Sequence, residues 1–94
     1  MDSQVMTNIG AVEQYGKNLK AAEQQMLQMF QKLKQQTDAA NSYWKDNQYA
    51  NFRQDFDQDI MKKVQEIAAK MDMFSHYVAK MCEINRMAQQ QKYY

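Results

Sequence analysis

Residues that break helices are almost absent from this chain, and their absence constrains its fold more than any other feature. Among 94 residues there is no proline, and the second of the two glycines is Gly16. Proline and glycine are the residues that most often end or interrupt helices. Residues 41–47 combine several weak helix formers and contain the single tryptophan, Trp44. We therefore predict two long helices that meet at a turn over these residues.

The segment before the turn follows the seven-residue repeat of a coiled-coil seam. The pattern predicts one helix over residues 3–40, with Asp2 or Ser3 as its N-cap. Gly16 is either a tolerated glycine in a long helix or a position at which a neighbouring helix comes close. The two rows of the seam are Val5, Val12, Leu19, Met26, Leu33 and Ala40, and Ile9, Gly16, Glu23, Phe30, Thr37 and Trp44.

The segment after the turn predicts a second helix over residues 48–89, followed by a frayed tail at 90–94. Asp46 or Asn47 is placed to cap its first turn. Its apolar residues are four apart at first and then alternate between three and four, so we expect an irregular supercoil of the helices near the turn. The predicted seam is Phe52, Phe56, Ile60, Val64, Ile67, Met71, Phe74, Val78, Met81, Asn85 and Ala88.

Each predicted helix carries more apolar surface than one neighbouring helix can cover. Because a two-helix hairpin buries one stripe per helix, rows that flank the seams would remain exposed in a monomer. We expect one all-α domain over residues 1–94, an antiparallel two-helix hairpin that pairs with a second copy or a related chain into a four-helix bundle. A monomeric hairpin with exposed edges is the alternative. Ala68 and Cys82 belong to the flanking rows, and the predicted partner interface is Tyr15, Ala22, Met29, Met61, Met73 and Met87.

Composition argues against several classes of protein. The net charge is +1 with acids and bases interspersed, which disfavours a nucleic-acid surface. Mean hydropathy is −0.87, and no apolar run is long enough for a transmembrane helix. The first residues have neither a basic nor an apolar segment of the kind found in signal peptides, so we expect no cleaved leader.

An acidic stretch has the spacing of a calcium-binding loop. Asp55, Asp57 and Asp59, with Glu66 eleven residues after Asp55, match the oxygen ligands of an EF-hand. Ile60 stands where that loop makes its sharp turn, and a β-branched residue resists a positive φ. We therefore interpret this stretch as the acidic first turns of a helix and expect no bound metal.

The single histidine and the single cysteine offer little chemistry. His76 and Cys82 are six residues apart, so on a helix they point to different faces, and neither has a companion at ligand spacing. A nucleophile would also need a base and an oxyanion hole. We expect no disulfide, no cofactor, no catalytic residue and no enzymatic activity.

Two long helices joined at a tryptophan turn, in a chain close to one hundred residues, resemble the WXG family of small type VII secretion proteins (the early-secreted-antigen type). Trp44, Lys45 and Asp46 stand at the position of the family's central Trp-x-Gly motif. The resemblance implies that Trp44 packs the turn onto the hairpin and that Phe52 and Phe56 lead off the second helix. Asp46 replaces the motif glycine. An aspartate can take over the role of that glycine at the turn only by capping the second helix. The family's Tyr-x-x-x-Asp/Glu export signal has no counterpart here.

The resemblance also implies a function. We expect a non-enzymatic hairpin that is either a secreted protein or an adaptor or chaperone for a larger secreted effector. It would be secreted without a cleaved signal peptide, or cytoplasmic before export. It would act by presenting a helical face to a partner's helices. An intracellular scaffold hairpin and a membrane-active amphipathic hairpin are the alternatives. Because apolar rows serve as protein interfaces more often than as membrane anchors, we favour a protein partner.

Overall fold

The structure, a computed structural model, describes residues 6–91 and confirms the predicted all-α hairpin. Two long helical arms pack antiparallel, one before the turn and one after it. The elements are helix α1 (Ile9–Ala39), a 3₁₀ turn (Ala40–Ser42), helix α2 (Asn47–Asp55), a π-helical turn (Phe56–Ile60) and helix α3 (Met61–Gln91).

The first helix begins later than predicted. Its cap is Asn8, whose side-chain oxygen accepts a hydrogen bond from the Ala11 backbone N–H at 3.0 Å. An asparagine in this position satisfies one of the backbone donors that a helix start leaves unpaired. Asp2 and Ser3, the predicted caps, lie outside the described residues, as does the end of the predicted tail.

The turn between the arms is short. The Trp44 backbone N–H donates to the Ala40 carbonyl at 2.9 Å, which closes the end of the first arm. Asp46 has an extended backbone and accepts a hydrogen bond from the Tyr49 backbone N–H at 2.8 Å. Of the two predicted caps, Asp46 and Asn47, the structure has Asp46 as the N-cap of the second arm, and Asn47 is the first residue of α2.

By their contacts the residues divide into two compact units. The first unit contains the chain up to Ala22 and from Lys70 onward. Its buried cluster is Ile9, Val78 and Cys82, and the partly buried Met6, Val12 and Leu19 pack against it. Ion pairs between Lys20 and Asp72 and between Arg86 and Glu13 join its two helices.

The second unit, Glu23–Ala69, contains the turn. Its buried apolar residues are Tyr49, Phe56, Met61, Val64 and Ala68. A chain of ion pairs also links its helices. Lys34 contacts Asp38 at 3.1 Å and Asp57 at 3.4 Å, and Arg53 contacts Asp38 at 2.9 Å.

The seam of α3 differs from the predicted one. One predicted row is inside, since Val64, Val78 and Asn85 are buried and Met71 is half-buried. The row predicted to accompany it is only partly inside. Ile60, Met81 and Ala88 are half-buried, but Ile67 and Phe74 are about half exposed, so the prediction is wrong at these two positions. The second buried row instead consists of Met61, Ala68, Ser75 and Cys82.

Two local features explain this choice of register. In the π-helical turn the Met61 N–H bonds to the Phe56 carbonyl, five residues back, so Phe56 and Met61 are both buried. Small residues then let the helices come close. A Cβ added to Gly16 would lie 3.0 Å from Val78 Cγ1 and 3.9 Å from the Ser75 carbonyl oxygen. Gly16 is thus a position of close helix approach.

Candidate interaction surface

Large apolar side chains remain exposed along α3 within the first unit. They recur at spacings of three, four and seven residues, which places them along one side of the helix. Their exposed fractions range from 38% for Ile84 to 71% for Met73. We call this surface the α3 outer face, formed by the apolar Met73, Phe74, Tyr77, Ile84 and Met87 together with Lys70 and Lys80.

Aromatic rings lie at the centre of the α3 outer face. Phe74 and Tyr77 meet edge to face, with ring centroids 6.4 Å apart and an interplanar angle of 89°. With Lys70 and Met73 they line a shallow depression of about 500 Å³. Aromatic side chains with one exposed surface are typical of the anchors of protein interfaces.

Charged residues of both signs lie on and beside the α3 outer face. Lys70 and Lys80 are exposed, and neither forms an ion pair within residues 6–91. Asp72 lies on the opposite side of the helix, where it pairs with Lys20. Two exposed acids lie close to the lysines: Glu66 stands one turn before Lys70, and Glu83 stands one turn after Lys80. The surface therefore presents charges of both signs around its apolar residues.

The structure separates the residues predicted to form a partner interface into two groups. Tyr15, Ala22 and Met29 on α1 are exposed, as are Met73 and Met87 on α3. Their contact with a partner stays a prediction. Met61 is wrong as a member of this set, because the π-helical turn directs it inward and leaves it only 8% exposed.

The turn is anchored by a residue that the sequence reasoning missed. Tyr49 is 3% exposed, and its hydroxyl donates to the Thr37 carbonyl at 2.6 Å. Trp44, expected to be substantially buried, is 41% exposed and contacts the Tyr49 ring at a centroid distance of 5.3 Å. Tyr49 lies seven residues before the buried Phe56, so an earlier start of that row would have found it.

Electrostatics at the turn follow from the cap. The hydrogen bond from the Tyr49 backbone N–H lowers the pKa of Asp46 below its ordinary value, and a bond from the Trp44 side chain lowers this pKa further. Hydrogen bonds of this kind favour the ionised form of a carboxyl group. Trp44 and Asp46, two residues apart in the sequence, thus interact in the turn.

The residues considered for metal binding or catalysis are dispersed over the hairpin. Asp55, Asp57 and Asp59 lie in α2 and the π-helical turn, so the stretch is helical, as interpreted from the sequence. Burial raises the pKa of the Cys82 thiol, which is 1% exposed. His76 is exposed and 3.9 Å from an Asp72 oxygen. Within residues 6–91, no group of three His, Cys, Asp or Glu residues could hold a metal ion.

Two further observations concern membrane-spanning helices and similarity to known proteins. No helix within residues 6–91 is long and apolar enough to cross a membrane. Comparison with family models, with curated proteins and with solved structures finds no significant match in any of the three.

Proposed function

We propose that this chain is a non-enzymatic interaction hairpin whose exposed apolar helix surfaces bind the helices of a protein partner. The observation that carries the proposal is the distribution of side-chain size on α3. Ala68, Ser75 and Cys82 are buried, whereas Phe74 and Tyr77 are at least half exposed. A chain that needed only its own hairpin would gain more stability from burying the larger residues.

The free energy available at this surface is large for so small a protein. An aromatic side chain buries roughly 150–250 Å² in all. Covering the exposed half of Phe74 or Tyr77 would therefore contribute about 2 kcal/mol each at ~25 cal/mol per Å². Several such residues could offset the loss of translational and rotational freedom on association.

We further propose that the hairpin serves a specialised secretion system of the type VII kind, as an exported protein or as an adaptor for a larger effector. The support is the resemblance to WXG proteins. That resemblance rests on the helical hairpin and on the position of Trp44 at its turn. Asp46, which stands in place of the motif glycine, caps the second arm. The partner would be a second copy or a related hairpin.

Association is tested by sedimentation equilibrium of the full chain at tens of micromolar. We expect a dimer, and we expect Ala22→Glu combined with Met29→Lys to produce a monomer with unchanged helical circular dichroism, because both side chains are exposed. A monomeric wild-type chain would exclude the second copy as partner and leave only a different protein.

The secretion setting needs a separate experiment in the native host. An epitope-tagged chain is followed in the cell pellet and the medium, with the membrane ATPase of the secretion system present or deleted. We expect ATPase-dependent appearance in the medium, either of the chain or of an effector that co-purifies with it. If export of both is independent of the ATPase, the secretion role is wrong, whereas the interaction role is unaffected.

A further inference from the structure

We propose that α3 rotates about its own axis between two registers, the observed one and one in which its larger apolar residues face α1. The rotation turns Phe74 inward and so removes one of the two aromatic rings at the centre of the α3 outer face. The register of α3 is thus a switch for that surface. The rotation needs no partner, whereas its use as a switch rests on the proposed interaction function.

Two rows of α3 compete for the position that faces α1. A third row, which contains Val64 and Val78, lies beside both and is buried in the observed register. Because consecutive residues of an α-helix are about 100° apart, a rotation of roughly half that angle exchanges the competing rows and keeps the third row inside. The observed inner row is Ala68, Ser75 and Cys82, and the alternative row, one residue earlier at each step, is Ile67, Phe74 and Met81.

Each register has an advantage that the other lacks. In the observed register the small residues let the helices come close, as Gly16 does beside Val78. In the rotated register larger side chains leave the solvent, since Ile67 and Phe74 are about half exposed and each is larger than the residue that would replace it outside. Two packing arrangements with opposing advantages are the basis of a bistable element.

The hairpin also contains the space and the backbone geometry that the rotation needs. A groove of about 370 Å³ lies beside Gly16, Ser75 and Ala79, so small residues that leave the inside have room to move. The π-helical turn before α3 winds its residues less tightly than an α-helix does. When this turn reverts to α geometry, the residues after it turn further around the axis. That direction brings each larger residue toward the position of the smaller residue that follows it.

Cys82, the single cysteine, reports on the rotation. It is 1% exposed in the observed register and moves toward solvent in the rotated one. The rate at which dithionitrobenzoate modifies this thiol is measured on the full chain, at one pH and one protein concentration, over a range of urea concentrations below the unfolding transition. We expect a rate that hardly changes in low urea, because a rotation exposes little new surface, and that rises steeply only where global unfolding takes over.

Two exposed aromatic residues separate rotation from fraying of the end of α3. Phe74→Gln removes an apolar gain of the rotated register and should slow the modification of Cys82 by at least about tenfold. Phe74→Leu keeps an apolar side chain and should stay near the wild-type rate. The matched control is Tyr77→Gln, which removes a similarly exposed aromatic residue that belongs to neither row and should not slow the reaction. Circular dichroism checks that all variants keep their helices.

The possible results separate the rotation from the interaction function. A rate that follows global unfolding down to zero urea would overturn the rotation, and so would equal rates for Phe74→Gln and Tyr77→Gln. The interaction function would stand in either case if the chain sediments as a dimer. Slow modification of Phe74→Gln alone would support the rotation, even in a chain that sediments as a monomer and has no second copy as partner.

Discussion

The turn of the hairpin should depend on Tyr49 more than on Trp44. Tyr49 is almost completely buried, and its hydroxyl donates to the Thr37 carbonyl in the last turns of α1. Its backbone N–H is the donor in the Asp46 cap. Trp44 lies on the outer side of this arrangement and is 41% exposed. We therefore compare substitutions at Tyr49 and Trp44.

The expected magnitudes follow from burial. Tyr49→Ala removes a large buried ring and should lower the free energy of unfolding by about 3 to 5 kcal/mol. Tyr49→Phe keeps the ring but leaves the Thr37 carbonyl without its hydroxyl donor, at a cost of about 1 kcal/mol. Trp44→Ala loses its contact with Tyr49 and partial burial, together about 1 to 2 kcal/mol.

The assay is urea denaturation followed by far-ultraviolet circular dichroism. All variants are compared at one protein concentration, because association would make the apparent stability depend on concentration. If Tyr49→Ala does not fold, Tyr49→Phe and Trp44→Phe form a milder pair for the same comparison. A loss for Trp44→Ala equal to or above that for Tyr49→Ala would refute the assignment of Tyr49 as the anchor.

Three further predictions concern packing, pH and metal. Gly16→Ala should lower the free energy of unfolding by about 1 kcal/mol, because strain against Val78 at 3.0 Å outweighs the gain in helix propensity. The control Gly10→Ala should not lower it, because the added Cβ would contact only Asn8 at 3.5 Å. A higher stability of Gly16→Ala in urea denaturation would contradict this prediction. The lowered pKa of Asp46 means that its contribution to stability is present above the unfolded pKa of about 4 and is lost as pH falls through the folded value. Asp46→Asn should flatten the thermal-midpoint profile below about pH 4. An unchanged profile would show that the cap does not cause the loss of stability in acid. Thermal melts with millimolar calcium and with chelator should overlay, whereas a calcium-dependent rise of several degrees would contradict the helical interpretation of residues 55–66.

The hairpin could be predicted from the sequence because its signals are local. Without proline or a late glycine, the repeat that contains Ile9 and Gly16 could form only a long helix, and both residues are buried as the pattern indicates. Glu23, a polar member of the same row, is buried as well. The cap at Asp46 was predictable for the same reason, since an N-cap depends on a few neighbouring residues. Local rules thus account for the fold class and the position of the turn.

The surface was harder to predict because it depends on which of two neighbouring rows faces the other arm. On α3 the rows that contain Phe74 and Ser75 have the same period, and hydrophobicity favours the row of Phe74. The structure buries Ser75 instead, since Gly16 on the other arm allows a close approach at this point. The π-helical turn, which places Met61 inside, has no signature in a seven-residue pattern. Trp44 was misplaced because α1 ends at Ala39, before the repeat reaches it.

Under the proposed interaction function, the small inner residues of α3 stabilise the hairpin, and the large outer residues are the ones expected to contact the partner. Substitutions among Ala68, Ser75 and Cys82 act on the contact between the arms, where a larger side chain would have to displace a packed neighbour. Phe74 and Tyr77 are at least half exposed, so we expect their substitution to change the contact between the arms little. A hairpin built in this way can change its partner without refolding its core. The α3 outer face is therefore the surface on which we expect related hairpins to differ most in charge and side-chain size.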